Sequence, residues 1–175
     1  MLIPVLIGLG SVAVLLGIVI VMKPSDFQVG RSMKMRATPV QAFAQVNDLH
    51  LMNAWNPWVK LDPNLKQTYE GEAAGVGAIY SWDGDKNVGA GRQTIVESRP
   101  GELVRIKLEF FRPFAGVNEV VFTFVPMGDQ TEVTWSMTGK LNPFMKVMGL
   151  FMSMDKMCGD SFTKGLTDLK GILET

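Results

Sequence analysis

The chain of 175 residues holds one cysteine, Cys158, and one histidine, His50, and these two shortages remove whole classes of function. A lone cysteine cannot close an intramolecular disulfide, so a disulfide scaffold is excluded and a reducing compartment is favoured. A lone histidine cannot build a His-rich zinc or iron site, and no G-x-S-x-G sequence accompanies it for a Ser-His-Asp triad. The glycine-rich phosphate and dinucleotide motifs and the H-E-x-x-H zinc motif are also missing. No cofactor and no metal are therefore expected. Charge of one sign is lacking too: 17 basic and 17 acidic side chains balance, and the basic ones are scattered rather than gathered in a stripe. A nucleic-acid partner would require such a stripe.

Charge is absent altogether from Leu2 to Met22, LIPVLIGLGSVAVLLGIVIVM. As a helix this run would span about 31 Å, close to the ~30 Å hydrocarbon core of a bilayer. Lys23 and Pro24 end it. A cleaved signal peptide would carry a basic residue before the run, a shorter core and a small-residue cleavage site, and none is present. Residues 1–23 are therefore read as a transmembrane anchor, and 24–175 as one domain of ordinary size. Lys23, Arg31, Lys34 and Arg36 follow the run, against a single nearby acid, Asp26. The positive-inside rule then turns the domain toward the cytoplasm, as a single-pass membrane protein.

The soluble part begins with a strand from Asp26 to Ala37, with Val29, Met33 and Met35 on one face. Thr38 as N-cap and Pro39 at the first helical position start an amphipathic helix that reaches about Asp48. His50–Trp58 is a short helix or turn. The period then changes to two. Strands are predicted at Lys66–Glu72, Val76–Asp83, Val88–Ser98, Glu102–Arg112, Val117–Pro126 and Thr131–Lys140, separated by glycine-containing turns. In Glu102–Arg112, Val104, Ile106, Leu108 and Phe110 alternate with Arg105, Lys107 and Glu109. Val133, Trp135 and Met137 alternate in the same way with Glu132, Thr134 and Ser136. Short turns imply an antiparallel meander with one wet face. Asn142-Pro143 then opens an apolar stripe of some eight turns, from Phe144 to Leu173. The fold class is α+β: a curved antiparallel sheet needs a cover, and the long C-terminal helix is the element expected to supply it, leaving a gap as a pocket.

Candidate pocket residues follow from this geometry. Trp55 and Trp58 are three apart and would share a helical face, as a lid or as a plug of the core. Tyr80, Trp82, Phe110, Phe124 and Trp135 point inward from strands. Met148, Phe151 and Met152 or Met154 face the cavity from the long helix, where methionine suits varied apolar ligands. Arg92 lies mid-strand. It faces water or, if turned inward, holds a ligand carboxylate. Glu70 and Glu72 share a strand face and are read as exposed, and His50 as structural.

Three stretches carry a family likeness: RSMKMRATPVQAFAQVNDL; NAWNPWVKLDP followed by YEGEAAGVGAIYSWDGD; and GDSFTKGLTDLKGILE. In their order and spacing the chain resembles the START-like (SRPBCC) superfamily, and within it the polyketide cyclase/dehydrase-like family, over residues 26–175. The resemblance implies a helix-grip fold with a hydrophobic cavity between sheet and C-terminal helix. It implies no universal catalytic residue, and the apolar N-terminal run is an addition to the shared domain. Three functions stay open at this point: a membrane-tethered binding protein for a hydrophobic small molecule, lipid-like or polyketide-like; a cyclase or dehydratase acting in that cavity; and an interaction module with a vestigial pocket. A fold alone does not choose among them.

Overall fold

The computed structural model describes residues 24–149 and 153–175. The predicted anchor, Leu2–Met22, lies outside the described residues, and among those described no helix is long and apolar enough to cross a membrane. The chain runs β1 (Asp26–Met35), α1 (Pro39–Asn47), α2 (Leu49–Trp55), a 3-10 turn (Val59–Leu61), β2 (Lys66–Gly71), β3 (Ala78–Asp83), β4 (Ala90–Arg99), β5 (Leu103–Arg112), β6 (Gly116–Met127), β7 (Gln130–Lys140), α3 (Pro143–Met148) and α4 (Met154–Leu173). The period-two segments fall where the alternation placed them, with ends shifted by one or two residues.

The seven strands form one antiparallel sheet in the order β1-β7-β6-β5-β4-β3-β2. α1 and α2 carry the chain from one edge of the sheet to the other, and the meander β2 to β7 brings it back beside β1. Register shifts put one extra residue, Val96, into β4 between Ile95 and Glu97, and one, Phe111, into β5 opposite Ala90 and Gly91; a bulge increases local twist and turns the strand that carries it. One face is apolar in rows that cross the strands. Val29, Met137, Val120, Ile106 and Ile95 stand in register, and all are buried. Trp135, Phe122 and Val104 form the next row.

Local chemistry explains where the helices start. The Thr38 hydroxyl accepts from Gln41 N at 3.3 Å, and Gln41 Oε1 accepts from Thr38 N at 2.8 Å, a closed capping box with Pro39 behind it. Asp48 ends α1 and caps α2, its Oδ1 accepting from His50 N at 2.8 Å.

The single C-terminal stripe requires correction, because it is two helices. α3 ends at Met148 with Gly149 as its C-cap, and Ser153 starts α4 by accepting from Lys156 N at 3.3 Å. Glycine is a weak helix former and serine a strong N-cap, so both local signals oppose the continuous stripe that apolar spacing favours. The cover of the sheet is shared as well. α4 lies along β1 and buries Phe162, Leu166 and Leu169, while α1 and α2 contribute Phe43, Val46, Met52 and Trp55.

Candidate functional site

A cavity of about 130 Å³ lies between the apolar face and the helices. Its strand wall is built by period two. One register row crosses all seven strands: Phe27, Gly139, Asn118, Leu108, Gln93, Tyr80 and Tyr69. Leu108, Gln93 and Tyr80 of that row line the cavity, together with Val120 and Met137 from the next row and Trp135 from the row beyond. Trp82 and Phe110 close one side edge to face, with ring centroids 5.8 Å apart. Gly91 makes this possible, since a Cβ there would stand 2.5 Å from the Trp82 indole. The helical wall is Met52 of α2, Asn56 and Trp58 just beyond it, and Cys158 and Phe162 of α4.

The polar inventory of the lining is short. Asn56 Nδ2 donates to Asn53 Oδ1 at 3.3 Å, and Asn56 Oδ1 accepts from Trp58 N at 3.1 Å. The Tyr80 hydroxyl donates to Gln67 Oε1 at 3.2 Å, and burial pushes its phenol above the ordinary tyrosine value. Burial likewise raises the Cys158 thiol. Two buried polar atoms have no partner among the described residues, Gln93 Oε1 and Trp135 Nε1. Both residues line this cavity. A buried polar atom without a hydrogen bond costs about 1–3 kcal/mol, so each is a place where a ligand or water gains by supplying the missing half. The ionisable members of the lining are Tyr80 and Cys158, and burial moves both further from ionising. No group of three His, Cys, Asp or Glu side chains able to hold a metal occurs among the described residues.

The expected site residues divide. Trp58, Tyr80, Phe110 and Trp135 line the cavity. Trp55 and Trp58 do not share a helical face, because Asn56 ends α2 between them. Trp55 is fully buried behind the cavity, donating Nε1 to Gln45 O at 3.2 Å, and meets the same Trp135 ring edge to face as Trp58 does, at 5.7 and 5.6 Å. Phe124 is buried under α1, with Phe43 at 5.9 Å, and does not reach the cavity. Arg92 faces away from it: its guanidinium donates to Ser81 Oγ at 3.3 Å and lies 6.0 Å from the Phe111 ring. Met148 is exposed and outside the lining, since α3 ends there. Met154 packs against the core, and Phe151 and Met152 lie outside the described residues.

Gln93 is the residue that sequence reasoning missed. The signal was present, because neighbouring strand residues face opposite ways; an outward Arg92 requires an inward Gln93. Cys158 and Phe162 were placed on the apolar stripe but not at the cavity, since their position depends on where α4 lies along β1.

Comparison with known proteins agrees with this architecture. Norcoclaurine synthase from Thalictrum flavum, solved with dopamine and hydroxybenzaldehyde, is similar in fold with a TM-score of 0.64 at 11% identity, covering 85% of this chain and 87% of that one. A protein from Thermobifida fusca has a TM-score of 0.63 at 21% identity, covering 84% and 95%. The di-domain ARO/CYC protein StfQ of the steffimycin biosynthetic pathway has a TM-score of 0.63 at 12% identity, covering 86% of this chain and 51% of its own. At these identities the likeness is one of fold. Among curated protein sequences none matches this chain closely enough to count as a relative. The family model described as polyketide cyclase / dehydrase and lipid transport matches residues 26–174, the whole of the domain built around the cavity, and the chain belongs to that family.

Proposed function

We propose that this domain is a membrane-tethered binding module for a hydrophobic small molecule, lipid-like or polyketide-like, held between the sheet and the C-terminal helix on the cytoplasmic side. The observation that carries this reading is the lining: apolar and aromatic side chains, with an acceptor on Gln93 and a donor on Trp135 left unpaired. Such a surface suits an apolar body bearing a hydroxyl, carbonyl or amide. The volume, about 130 Å³, is near the ~150 Å³ of an engineered cavity that takes up benzene. That volume suits a ring-sized fragment, and a longer ligand requires lining side chains to move. A cyclase or dehydratase would need ionisable groups converging in the cavity. Tyr80 and Cys158, both neutral, favour binding over acid-base catalysis. The uncharged run Leu2–Met22 supports the tether.

The test is native mass spectrometry of the full chain extracted from its own membrane, alongside displacement of an environment-sensitive apolar dye. A co-purifying hydrophobic molecule that displaces the dye, together with dye binding lost in Val88→Trp at the cavity wall, is the expected result. Dye binding unchanged in that variant would remove the cavity from the reading. Release of the full chain by alkaline carbonate would remove the tether.

A further inference from the structure

We propose that the end of the domain formed by α3 and the β5–β6 turn is a docking face for the lipid bilayer, an inference that rests on the reading of Leu2–Met22 as an anchor and says which surface the anchored domain presents. Three chain segments meet at this end of the sheet. β1 starts there, with Asp26 opposite Lys140, the last residue of β7. Ser25 O accepts from Leu141 N at 2.7 Å, which ties the first described residues to the chain entering α3. The β5–β6 turn closes there as well, with Phe110 opposite Gly116 and Asn118 opposite Gly139.

At that end the surface is apolar where water would favour polar groups. Phe111, Phe114 and Val117 from β5, the turn and β6 are exposed, as are Phe144, Val147 and Met148 of α3. All the exposed phenylalanines among the described residues are here. Phe114 and Phe144 stack across the two elements, centroids 4.5 Å apart and planes 28° from parallel, so the residues form one patch. Contiguous exposed apolar surface of this kind marks an interaction site.

Covalent geometry selects the occupant. From Asp26 back to Met22 is four residues, which reach at most about 14 Å when fully extended. A bilayer holding Leu2–Met22 must therefore lie close against this end of the domain and cannot face the other. Lys140 stands at the same end with Asp26 as its cross-strand neighbour, and Lys23 follows the apolar run; the apolar patch and the short connection, not charge, select the bilayer. Phe110, which lines the cavity, is the chain neighbour of Phe111 on the patch. Phe111 itself turns to the face away from the cavity, where the Arg92 guanidinium lies 6.0 Å from its ring.

The experiment uses the full chain in vesicles of phosphatidylcholine and phosphatidylglycerol. Spin labels are placed singly at Phe114→Cys and Val117→Cys, and at Asp129→Cys in the β6–β7 turn at the far end, each with Cys158→Ala. Collision with oxygen, enriched in lipid, is compared with collision with a water-soluble nickel chelate. The expected result is an oxygen-to-nickel ratio several-fold higher at 114 and 117 than at 129. A chain that resists carbonate extraction yet gives equal ratios at all three sites overturns the docking face and leaves the anchor standing. Labels at 114 and 117 shielded from both agents overturn it in favour of a protein occupant, a second copy or a fold-back of the chain itself. A chain that does not float with the vesicles overturns both anchor and face.

Discussion

The indole of Trp135 lies flat on the ring of Phe162, centroids 4.4 Å apart and planes 8° from parallel. This pair ties β7 to α4 beside the cavity that both residues line. Phe122 stacks on the same indole at 5.0 Å, and Trp55 and Trp58 meet it edge to face. One side chain thus holds strands, α2, the segment after it and α4 together. Trp135→Ala is expected to cost ~3–5 kcal/mol through lost transfer energy plus a cavity. Urea unfolding followed by far-UV circular dichroism measures it. A loss under about 1 kcal/mol is what exposed positions give and would contradict the burial.

Gly165 faces the same indole from α4. A Cβ there would stand 2.7 Å from Trp135 Cζ3 and 3.2 Å from Pro57 Cδ. Alanine normally improves a helix by ~1 kcal/mol over glycine. Here overpacking wins, and Gly165→Ala should destabilise by about 1–3 kcal/mol. Gly171, with open space around its Cβ position, is the control. Gly171→Ala should stabilise by roughly 0.5–1 kcal/mol. Opposite signs in one thermal-melt series test the close approach of α4 to β7.

Gln93→Leu separates function from stability. It removes a buried acceptor that has no partner among the described residues and should raise unfolding stability by about 1–3 kcal/mol. It should also weaken any ligand that donates to that oxygen about two- to tenfold, the worth of one neutral hydrogen bond. Calorimetric titration beside chemical denaturation reads both. Lower stability with unchanged affinity would mean that the carboxamide is already satisfied.

The acid limb of stability should depend on Asp155. Arg31 Nη1 donates to Asp155 Oδ1 at 2.6 Å and Nη2 to Oδ2 at 3.0 Å, fastening the start of α4 to β1. That hydrogen bond holds the Asp155 carboxyl below its ordinary value. Asp168, held low first by Lys164 and then by Lys60, and Glu97, held low by Arg105, act in the same direction. A depressed folded value means that the contribution is complete above the unfolded pKa of about 4 and is lost as pH falls through the folded one. Stability should therefore fall off below about pH 4, and Asp155→Asn should flatten part of that slope. These groups are exposed, so the effect is small and shrinks in salt.

The strands and the first helices were legible in the sequence because their signals are local. Val104, Ile106 and Leu108 alternate with Arg105 and Lys107, and one buried face enforces that parity residue by residue. Thr38, Pro39 and Gln41 name a helix start through hydrogen bonds spanning three residues. The family likeness rests on these same periodicities and turns. The inward direction of Gln93 was available from the same parity, once Arg92 was put outside. What only the tertiary structure decided depends on contacts far apart in the chain. The placement of α4 along β1 selects Phe162 and Cys158 for the cavity, and Arg31 meeting Asp155 is part of that placement. Apolar spacing ran straight through Gly149 and Ser153, since a hydrophobic stripe records which side of a helix is buried, not whether the helix is one piece. The same reason separates Trp55 from Trp58: spacing in sequence puts them on one helical face only if the helix continues, and Asn56 stops it, leaving one indole in the core and the other on the cavity wall.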